Sequence, residues 1–415
     1  MHGGSSADKR HSVVKPVNRW IDLTTRVLAG APLYRYFRVH AENAEIIPRT
    51  GPAILVCNHT NLFDPIWIYG LAGRPVYYVA TEELFRKPWM RALVSRYGAF
   101  PKRKAANDLS AIRSILSVIR YGGIVGIFAE GVRTWDGRNS PVLPATARLV
   151  SKMKVPVIAC RLEGGYLAYP RWANWWRRIP IAGVFSKLYD AHTIPEDEAT
   201  ILSDITKAIR IRDYELRIDE RRYDRGGLAM QLPKLLYRCP NCRTFEGLEV
   251  PQSHRRNRIA CLSCGSTWSV SVTCRLRPLV RPTARSEGTS MPIHATYRAI
   301  KAMPLAPIGN DEVPLQPDER LYLSSRSQQL FAERASRGLR ILGCGRLFLT
   351  NRRLVFTAEG RILLNVALSG VNSLSVDPGD KLHFVHANRL YRIPIKHESA
   401  LKWYDTILRC KEDIA

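Results

Sequence analysis

The sequence predicts an α/β domain with a mostly parallel central sheet, then a small cysteine-rich module and a β-rich C-terminal domain. Short apolar runs, such as residues 53–56 and 124–128, alternate with amphipathic helical stretches in the first half of the chain. Two C-x-x-C pairs follow, and several short strand patterns with one final helix complete the chain. With 415 residues, of which 46% are hydrophobic and 24% charged, the chain is long enough for two or three globular domains.

The charge of the chain predicts an anionic partner. Its formal net charge is +27 at pH 7, which suits a membrane surface, nucleic acid, an acidic carrier protein or a phosphorylated substrate. The sequence has no run of 18 apolar residues, so we expect no transmembrane helix. Residues 1–14 are polar and lack an apolar signal-peptide core, which predicts a flexible cytoplasmic leader. Nine cysteines, four of them in C-x-x-C pairs, fit a reducing compartment better than a disulfide framework.

The first folded element predicted is an amphipathic helix over residues 16–31. Trp20, Val27 and Leu28 recur at helical spacing, and Pro16 suits the first helical position. Residues 33–38 then mix aromatic and basic side chains, as interfacial segments do. The helix either packs on its own domain or lies at a membrane surface, and the pattern allows both interpretations.

A histidine–carboxylate pair is predicted just after the strand 53–56. His59 and Asp64 are five residues apart, about 140° around a regular helix, so a turn rather than a helix would bring them together. Open α/β folds place their ligands at such strand ends. A histidine held by a carboxylate is a general base with a fixed tautomer. The alternative is that Asp64 caps a helix beginning at Pro65, beside an ordinary loop histidine.

A second motif follows the strand 124–128, about 70 residues after the first. The two motifs resemble the N-H-x4-D and F-P-E-G-x-R-S/T blocks of the glycerolipid acyltransferase family, which includes the 1-acylglycerol-3-phosphate acyltransferases. The matching residues are Asn58, His59, Asp64, Phe128, Glu130, Gly131, Arg133 and Thr134. Ala129 stands where the family has proline. The resemblance spans roughly residues 40–215, about 40% of the chain.

A basic triplet lies between these motifs, at Lys102, Arg103 and Lys104. With residues 98–101 it resembles the family's block G-A-x-P-x-D-R, and this resemblance implies contact with the phosphate of the acceptor. The family's Asp falls on Arg103 and its Arg on Lys104, and a lysine cannot make the bidentate contact of an arginine. A solvated basic loop is the alternative.

The remaining elements of this domain alternate between strand and helix. We expect strands over residues 76–80 and 155–160, a helix over 82–96 broken near Pro88, a helix capped by Asn107, and a closing helix over 195–214. Residues 155–159 resemble the family's block V-P-V-x-P and are expected to be a core strand. Residues 166–188 contain alternating tryptophan and arginine at 170–172 and 175–178, which suits either a lipid-headgroup interface or a packed surface hairpin.

The cysteine-rich module predicts a structural zinc site. Cys239, Cys242, Cys261 and Cys264 form two C-x-x-C pairs separated by 18 residues, the spacing of a zinc ribbon. A single pair suits redox chemistry, but two in tandem supply four thiolates for a tetrahedral metal. The positive charge of the basic loop 254–258 would attract nucleic acid. Nothing in the loop specifies the recognition of bases, so nucleic acid is not the expected partner. The other five thiols are expected to be buried or incidental, at Cys57, Cys160, Cys274, Cys344 and Cys410.

The C-terminal region predicts a β-rich domain closed by one helix. Residues 345–356 form a G-x-L-x-L-T-N-x-R-L-x-F hairpin pattern that resembles a GRAM or pleckstrin-homology-like (PH-like) domain. This resemblance implies lipid or protein recognition, and a structural barrel without a ligand is the alternative. The predicted regions are a leader and amphipathic helix (1–40), an acyltransferase domain (41–228), a zinc ribbon (229–275), a linker (276–312) and the PH-like domain (313–415).

The family resemblance implies transfer of a fatty acyl group from a thioester, acyl-CoA or acyl-ACP, to a hydroxyl of a lysophosphatidate-like glycerophospholipid. His59 would take the hydroxyl proton and Asp64 would stabilise the imidazolium. The resemblance further implies that Glu130 and Gly131 contact the glycerol part of the acceptor and that Arg133 binds its phosphate, with help from the basic triplet. No G-x-S-x-G nucleophile motif is present, which favours direct transfer over an acyl-enzyme.

The expected setting is the cytoplasmic, inner face of an anionic membrane, with acyl carrier protein as a further candidate partner. Two alternatives remain at this point. One is a non-catalytic scaffold whose ribbon and PH-like domain bind nucleic acid or protein. The other is an acyltransferase that acts on a non-phosphorylated acceptor.

Overall fold

A computed structural model describes residues 14, 16–85, 87–102, 109–252, 256–280, 289–309, 312–334, 338–377 and 380–413. The chain forms two compact units. The first unit comprises Met1–Arg171 with Trp175–Arg225, and the second comprises Trp172–Asn174 with Gly226–Ala415. None of the helices in the described part of the chain combines the length and apolarity needed to cross a bilayer.

The first unit is built on a seven-stranded sheet. Its strands are β1 (His40–Glu42), β2 (Ala53–Cys57), β3 (Val76–Thr81), β4 (Phe100–Lys102), β5 (Ile124–Phe128), β6 (Val157–Glu163) and β7 (Ala182–Tyr189). Their spatial order is β1-β7-β6-β2-β5-β3-β4. Every pair is parallel except β6 with β7, so the predicted mostly parallel sheet is confirmed.

The central strand β2 carries the candidate site at its carboxyl end. All five of its residues are buried, because helices cover both faces of a parallel sheet. Cys57, its last residue, pairs in register with Phe128 of β5 on one side and with Cys160 of β6 on the other. The carboxyl ends of β2, β5 and β6 therefore meet at one edge of the sheet.

Helices α1–α9 belong to the first unit. They are α1 (Arg19–Thr24), α2 (Ala31–Phe37), α3 (Asp64–Leu71), α4 (Pro88–Arg96), α5 (Leu109–Arg120), α6 (Pro144–Met153), α7 (Gly165–Ala168), α8 (Glu198–Ala208) and α9 (Glu220–Tyr223). One face of the sheet packs its apolar side chains, including Ile54 and Val56, against α6 and α8. Farther along the same face, Val125 and Tyr77 pack with Ile115 and Val118 of α5.

Helix boundaries differ from those predicted at three places. The N-terminal helix begins at Arg19 and continues to Phe37 through a π-helical turn, Thr25–Gly30, where the pattern predicted an end near residue 31. The range 82–96 divides into a 3₁₀ turn, Glu82–Phe85, and α4, which starts at Pro88 because proline lacks an N–H donor. Helix α8 covers only the middle of the predicted range 195–214 and begins after Asp197, whose carboxylate accepts from two N–H groups of its first turn. Asn107 lies outside the described residues.

The second unit contains two antiparallel sheets. The first has the order β12-β11-β10-β9-β8. Its strands are β8 (Leu248–Glu249), β9 (Arg258–Cys261), β10 (Thr267–Val270), β11 (Arg275–Val280) and β12 (Met291–Pro292). Helices α10 (Leu232–Leu235) and α11 (Ile293–Ala302) flank it in the sequence.

Residues 276–312, predicted as a linker, instead contain most of β11, all of β12 and the helix α11. Helix α11 buries one face, made of Ile293, Thr296, Tyr297 and Ile300. That spacing is helical, but it spans only eight residues, and one of the four is polar. Prolines also lie on both sides of the segment, so the pattern did not predict a helix.

The second sheet of this unit has eight strands and confirms the predicted β-rich C-terminal region. Its order is β17-β16-β15-β14-β20-β19-β18, with β13 paired to β15. The elements are β13 (Leu321–Ser324), β14 (Gln328–Arg334), β15 (Gly338–Thr350), β16 (Arg353–Ala358), β17 (Arg361–Ala367), β18 (Asn372–Asp377), β19 (Lys381–His386), β20 (Arg389–Pro394) and α12 (Ala400–Glu412). The predicted hairpin is β15 with β16, and Arg353 ties it to the buried Glu319 through two hydrogen bonds of 2.8 and 3.0 Å.

Candidate active site

The turn after β2 brings His59 and Asp64 together. The His59 Nδ1 atom lies 2.9 Å from Asp64 Oδ2. Asp64 opens α3 and is fully buried, whereas the side chain of His59 keeps 19% of its surface exposed. Asp64 also accepts from the Asn61 backbone N–H at 2.9 Å, from the Thr60 hydroxyl at 2.9 Å and from the Thr60 N–H. These four hydrogen bonds all come from residues 59–61, so the carboxylate organises the turn rather than the helix that follows it.

The surroundings of His59 favour the neutral imidazole. Burial lowers the pKa of His59, since a desolvated imidazolium is costly, and the nearby cations Arg133 and Arg171 lower it further. The hydrogen bond and the charge of Asp64 oppose this shift. Because Nδ1 faces a carboxylate that accepts four hydrogen bonds, Nδ1 carries the proton and Nε2 keeps its lone pair. A histidine arranged in this way can accept a proton at Nε2.

Two asparagines fix the turn to β6 and to the first residue of α7, a role that sequence reasoning did not find. Asn58 donates to the carbonyl of Leu162 at 2.9 Å and accepts from its N–H at 2.8 Å. Asn61 donates to the carbonyl of Gly165 at 2.8 Å. A Cβ atom at Gly165 would lie 2.3 Å from the Thr60 hydroxyl, so this close approach requires glycine.

Asp213 stabilises the start of α7, next to the residue that Asn61 contacts. It is fully buried and accepts from the N–H groups of Gly164 at 3.0 Å, Tyr166 at 2.8 Å and Leu167 at 3.2 Å. Burial raises the pKa of Asp213 to about 7 against these hydrogen bonds. No local pattern marks Asp213, because its partners lie more than forty residues earlier in the chain.

The second motif lies beside the first, at the end of β5. Glu130 is 2% exposed, and its carboxylate accepts from Asn139 Nδ2 at 2.9 Å and from the Ser140 N–H at 2.7 Å. Burial raises the pKa of Glu130 to about 7. Gly131 adopts a φ of +71°, and a Cβ there would lie 2.6 Å from Leu143. The Thr134 N–H donates to the His59 carbonyl at 3.0 Å, which docks this loop on the first motif.

The structure therefore brings together most of the predicted site residues. His59, Asp64, Glu130, Gly131 and Arg133 meet at the carboxyl ends of β2 and β5. The contact of Glu130 with an acceptor hydroxyl stays a prediction, since its two oxygens are bonded to protein donors. The backbone of Lys102 ends β4 at the same edge of the sheet, but its side chain, Arg103 and Lys104 lie outside the described residues.

The Trp/Arg segment after α7 is partly packed and partly exposed. Trp176 contacts Phe63 and Phe37 with ring centroids 5.3 and 6.2 Å apart. Trp175 is 70% exposed, and Trp20 and Leu28 of the N-terminal helix are 72% and 74% exposed. The packing of Trp176 supports a packed surface hairpin, and the exposure of Trp175 supports a lipid-headgroup interface.

The four paired cysteines of the second unit form a candidate metal site. Their sulfur atoms all lie within 4.8 Å of one another, with Cys239 3.8 Å from Cys264 and Cys242 3.6 Å from Cys261. Four thiolates about 2.3 Å from a tetrahedral zinc lie about 3.8 Å apart, so these residues fit a metal ion. Within the described residues this is the one cluster of such ligands.

Comparison with known proteins identifies a family for the part of the chain that carries both motifs. Residues 38–163 match the sequence profile of the family described as Acyltransferase. This part of the chain is an acyltransferase-family domain. This range contains β2, the first motif and the second motif, so the enzyme class predicted from these motifs is confirmed.

Curated relatives of this acyltransferase share the same region. A 1-acyl-sn-glycerol-3-phosphate acyltransferase of Bacillus subtilis is 24% identical over 185 residues, 44% of this chain and 90% of the relative. A chloroplastic 1-acyl-sn-glycerol-3-phosphate acyltransferase of Brassica napus is 22% identical over 142 residues, 34% of this chain and 41% of the relative. The crystal structure of the acyltransferase PlsC from Thermotoga maritima aligns with a TM-score of 0.38 and 21% identity, covering 46% of this chain and 75% of that one.

Proposed function

We propose that this acyltransferase moves a fatty acyl group from a thioester donor, acyl-CoA or acyl-ACP, to a hydroxyl of a lysophosphatidate-like glycerophospholipid. The observation that carries the proposal is the His59–Asp64 pair, 2.9 Å apart, next to the cationic side chain of Arg133. The relatives from Bacillus and Brassica are named for the same acceptor class.

The reaction is a direct acyl transfer in which His59 handles the proton. The acceptor hydroxyl gives its proton to His59 Nε2 as its oxygen bonds to the thioester carbonyl carbon. The tetrahedral intermediate then expels the thiolate, which takes the proton back from the imidazolium. Asp64 stabilises that imidazolium, while its four hydrogen bonds hold its position.

The nearest cysteine does not supply an alternative nucleophile. Cys57 lies two residues before His59 but is fully buried at the end of β2. Burial raises the pKa of the Cys57 thiol well above its ordinary value, and a thiol in that state is inert. This supports attack by the acceptor oxygen itself.

Substrate binding is assigned to the second motif and the basic triplet. Arg133 would bind the phosphate of the acceptor, with Lys102, Arg103 and Lys104 adding positive charge around it. Gly131 gives the loop its turn, and Glu130 would orient the loop or the acceptor hydroxyls. A phosphate dianion needs such fixed cations because its desolvation is otherwise costly.

We further propose a structural zinc ion at Cys239, Cys242, Cys261 and Cys264, and hence a zinc-ribbon fold for the cysteine-rich sheet. The ion would fix the loops that carry these thiolates. The eight-stranded sheet with its closing helix α12 supports a PH-like domain that binds lipid or protein.

The proposed location is the cytoplasmic face of an anionic membrane. The net charge of +27 favours such a surface, and exposed apolar side chains, among them Trp20 and Trp175, suit the headgroup boundary. An acidic carrier protein is the second partner that this charge would attract.

The test is product analysis by mass spectrometry. Purified protein is offered acyl-CoA or acyl-ACP together with lysophosphatidate or the corresponding monoacylglycerol. Formation of phosphatidate, with little diacylglycerol, is the expected result. Equal use of both acceptors would favour a non-phosphorylated acceptor, and the absence of any acylated product would favour a scaffold.

A further inference from the structure

A short segment after α8, residues 209–214, contacts the loop that follows β5. The backbone N–H of Ile211 donates to the side-chain oxygen of Asn139 at 2.8 Å. The hydroxyl of Tyr214 donates to the backbone carbonyl of Asp136 at 2.6 Å. These contacts fix the segment to one side of the candidate site, the side formed by β5 and the loop after it.

The same segment holds the other side of the site through Asp213. This carboxylate is fully buried and accepts from the backbone N–H groups of Gly164 and Tyr166 at 3.0 and 2.8 Å. These two residues lie directly before and after Gly165, the first residue of α7. The first N–H groups of a helix have no acceptor within the helix, so Asp213 supplies one from outside. The position of Gly165 therefore depends on Asp213.

Gly165 is the residue through which α7 contacts the turn that carries His59. Its carbonyl accepts from Asn61 Nδ2 at 2.8 Å. The backbone N–H of Asn61 donates to Asp64 Oδ2 at 2.9 Å, and the same oxygen lies 2.9 Å from His59 Nδ1. A continuous series of covalent and hydrogen bonds thus connects Asp213, through Gly165 and Asn61, with the oxygen that orients the imidazole.

We propose that Asp213 is a positioning residue for the base His59, because it fixes the residue to which Asn61 is anchored. Without this carboxylate the start of α7 would shift, and the turn with its imidazole would shift with it. A displacement of about 1 Å at a reacting group can cost about a hundredfold in rate. This inference rests on the proposed function, since it assigns a role in the same reaction.

Steady-state kinetics with acyl-CoA and lysophosphatidate test this role. Asp213→Ala should lower kcat per folded molecule about tenfold to a hundredfold and leave both KM values within about twofold, because the base is displaced while the second motif keeps its contacts. Asp213→Asn keeps one acceptor oxygen and should lose less activity. If Asp213 acts through Asn61, adding Asp213→Ala to Asn61→Ala should cost little further, since both changes remove the same connection.

Asp197→Ala is the matched control for a merely structural effect. Asp197 precedes α8, at the opposite end of this helix from the segment 209–214, and is exposed. Its carboxylate accepts from the backbone N–H groups of Ala199 and Thr200 at 3.1 and 2.9 Å, so its loss also removes the acceptor of a helix start. Thermal unfolding should record a loss of stability in both alanine variants, whereas only Asp213→Ala should lower kcat.

A second measurement does not depend on turnover. Nuclear magnetic resonance of protein with isotopically labelled histidine distinguishes the two neutral tautomers of an imidazole, and His59→Gln identifies the signal of His59. The spectra are recorded at a pH of about 8, above the pKa of about 7 of Asp213. Wild-type His59 should carry its proton at Nδ1, which faces Asp64, and Asp213→Ala should show a mixture of tautomers.

A folded Asp213→Ala variant with the kcat of the wild type overturns the inference. A lower kcat with the tautomer signal of the wild type overturns it too, because the loss then arises away from the imidazole. If Asp213→Ala does not fold, Asp213→Asn decides the question by the same two measurements. A wild-type protein that forms no acylated product would overturn the proposed function, and the tautomer comparison would still decide this inference.

Discussion

The imidazole of His59 lies flat against the phenyl ring of Phe128, with ring centroids 4.0 Å apart and planes inclined by 18°. Phe128 ends β5 and pairs in register with Cys57, two residues before His59. Asp64 holds one edge of the imidazole and Phe128 covers one of its faces. The direction of Nε2 is therefore set by the first residue of α3 and the last residue of β5, and a fixed direction is what a general base needs.

Replacing His59 should reduce turnover more than replacing Asp64. His59→Ala should abolish transfer. Asp64→Asn keeps the shape but loses the charge that stabilises the imidazolium, so its turnover should fall by about 10²–10⁴. Initial rates and circular dichroism of both variants test this. A folded His59→Ala variant with near-normal turnover would remove the catalytic assignment.

The pH dependence of kcat/KM should follow the imidazole. Neutral His59 is the active form, and its pKa is lowered by burial, so activity should persist below about pH 6.5, the ordinary histidine pKa. Nearby cations disfavour the imidazolium, so Arg133→Gln should raise the pKa and move the acid limb of the profile to higher pH. Asp64→Asn should move it to lower pH. An acid limb that none of these changes displaces would belong to another group.

The two contacts of Glu130 predict a stability effect. Glu130→Ala leaves the Ser140 N–H and the Asn139 amide without their acceptor in a buried place, which should cost about 1–3 kcal/mol in the free energy of unfolding. Urea unfolding measures this cost. If stability is unchanged and only the KM for the acceptor rises, Glu130 serves the substrate and not the loop.

The cysteine cluster predicts one zinc ion per chain. Cys239→Ser and Cys264→Ser should each release the metal and increase hydrogen exchange over residues 236–272, because metal binding and folding of such a module are one event. Cys344→Ser is the matched control, since Cys344 is an exposed thiol of β15 outside the cluster. Elemental analysis that finds no metal in reduced, folded protein would contradict the assignment.

Membrane binding should depend on charge and on exposed tryptophan. The protein should sediment with anionic vesicles and dissociate as salt rises, since ions screen the attraction of a chain with net charge +27. Trp20→Ala and Trp175→Ala should weaken sedimentation, whereas Leu262→Ala, which removes a side chain that is 70% exposed in the turn after β9, should not. Equal binding to neutral and anionic vesicles at every salt concentration would show that charge is not the attraction.

The sequence predicted those parts of the site that are local in the chain. Five residues separate His59 from Asp64, and an apolar run directly before them marked the strand that positions both. The two motifs then identified β2 and β5 as the strands whose ends carry the site. The mostly parallel sheet was predicted because short buried strands alternate with helical patterns along the chain.

Contacts between distant segments were not predictable from one sequence. Asp213 bonds to Gly164 and Tyr166, and nothing at position 213 distinguishes this buried carboxylate from a surface one. Arg171 lies among tryptophans and arginines, and composition does not reveal that Trp135 is its neighbour. The helix α11 was missed for a similar reason, since its buried face becomes apparent only from the residues packed on it.

The central position of β2 has a consequence for how the enzyme is made. Its neighbours β5 and β6 begin about 70 and about 100 residues later in the chain, so the platform under His59 has a high contact order. During synthesis the first motif leaves the ribosome well before either neighbour. A nascent chain that stops before Val157 contains both motifs but lacks Leu162, the partner that Asn58 needs to anchor the turn. The active geometry can therefore arise only late in translation, after most of the first unit has been synthesised.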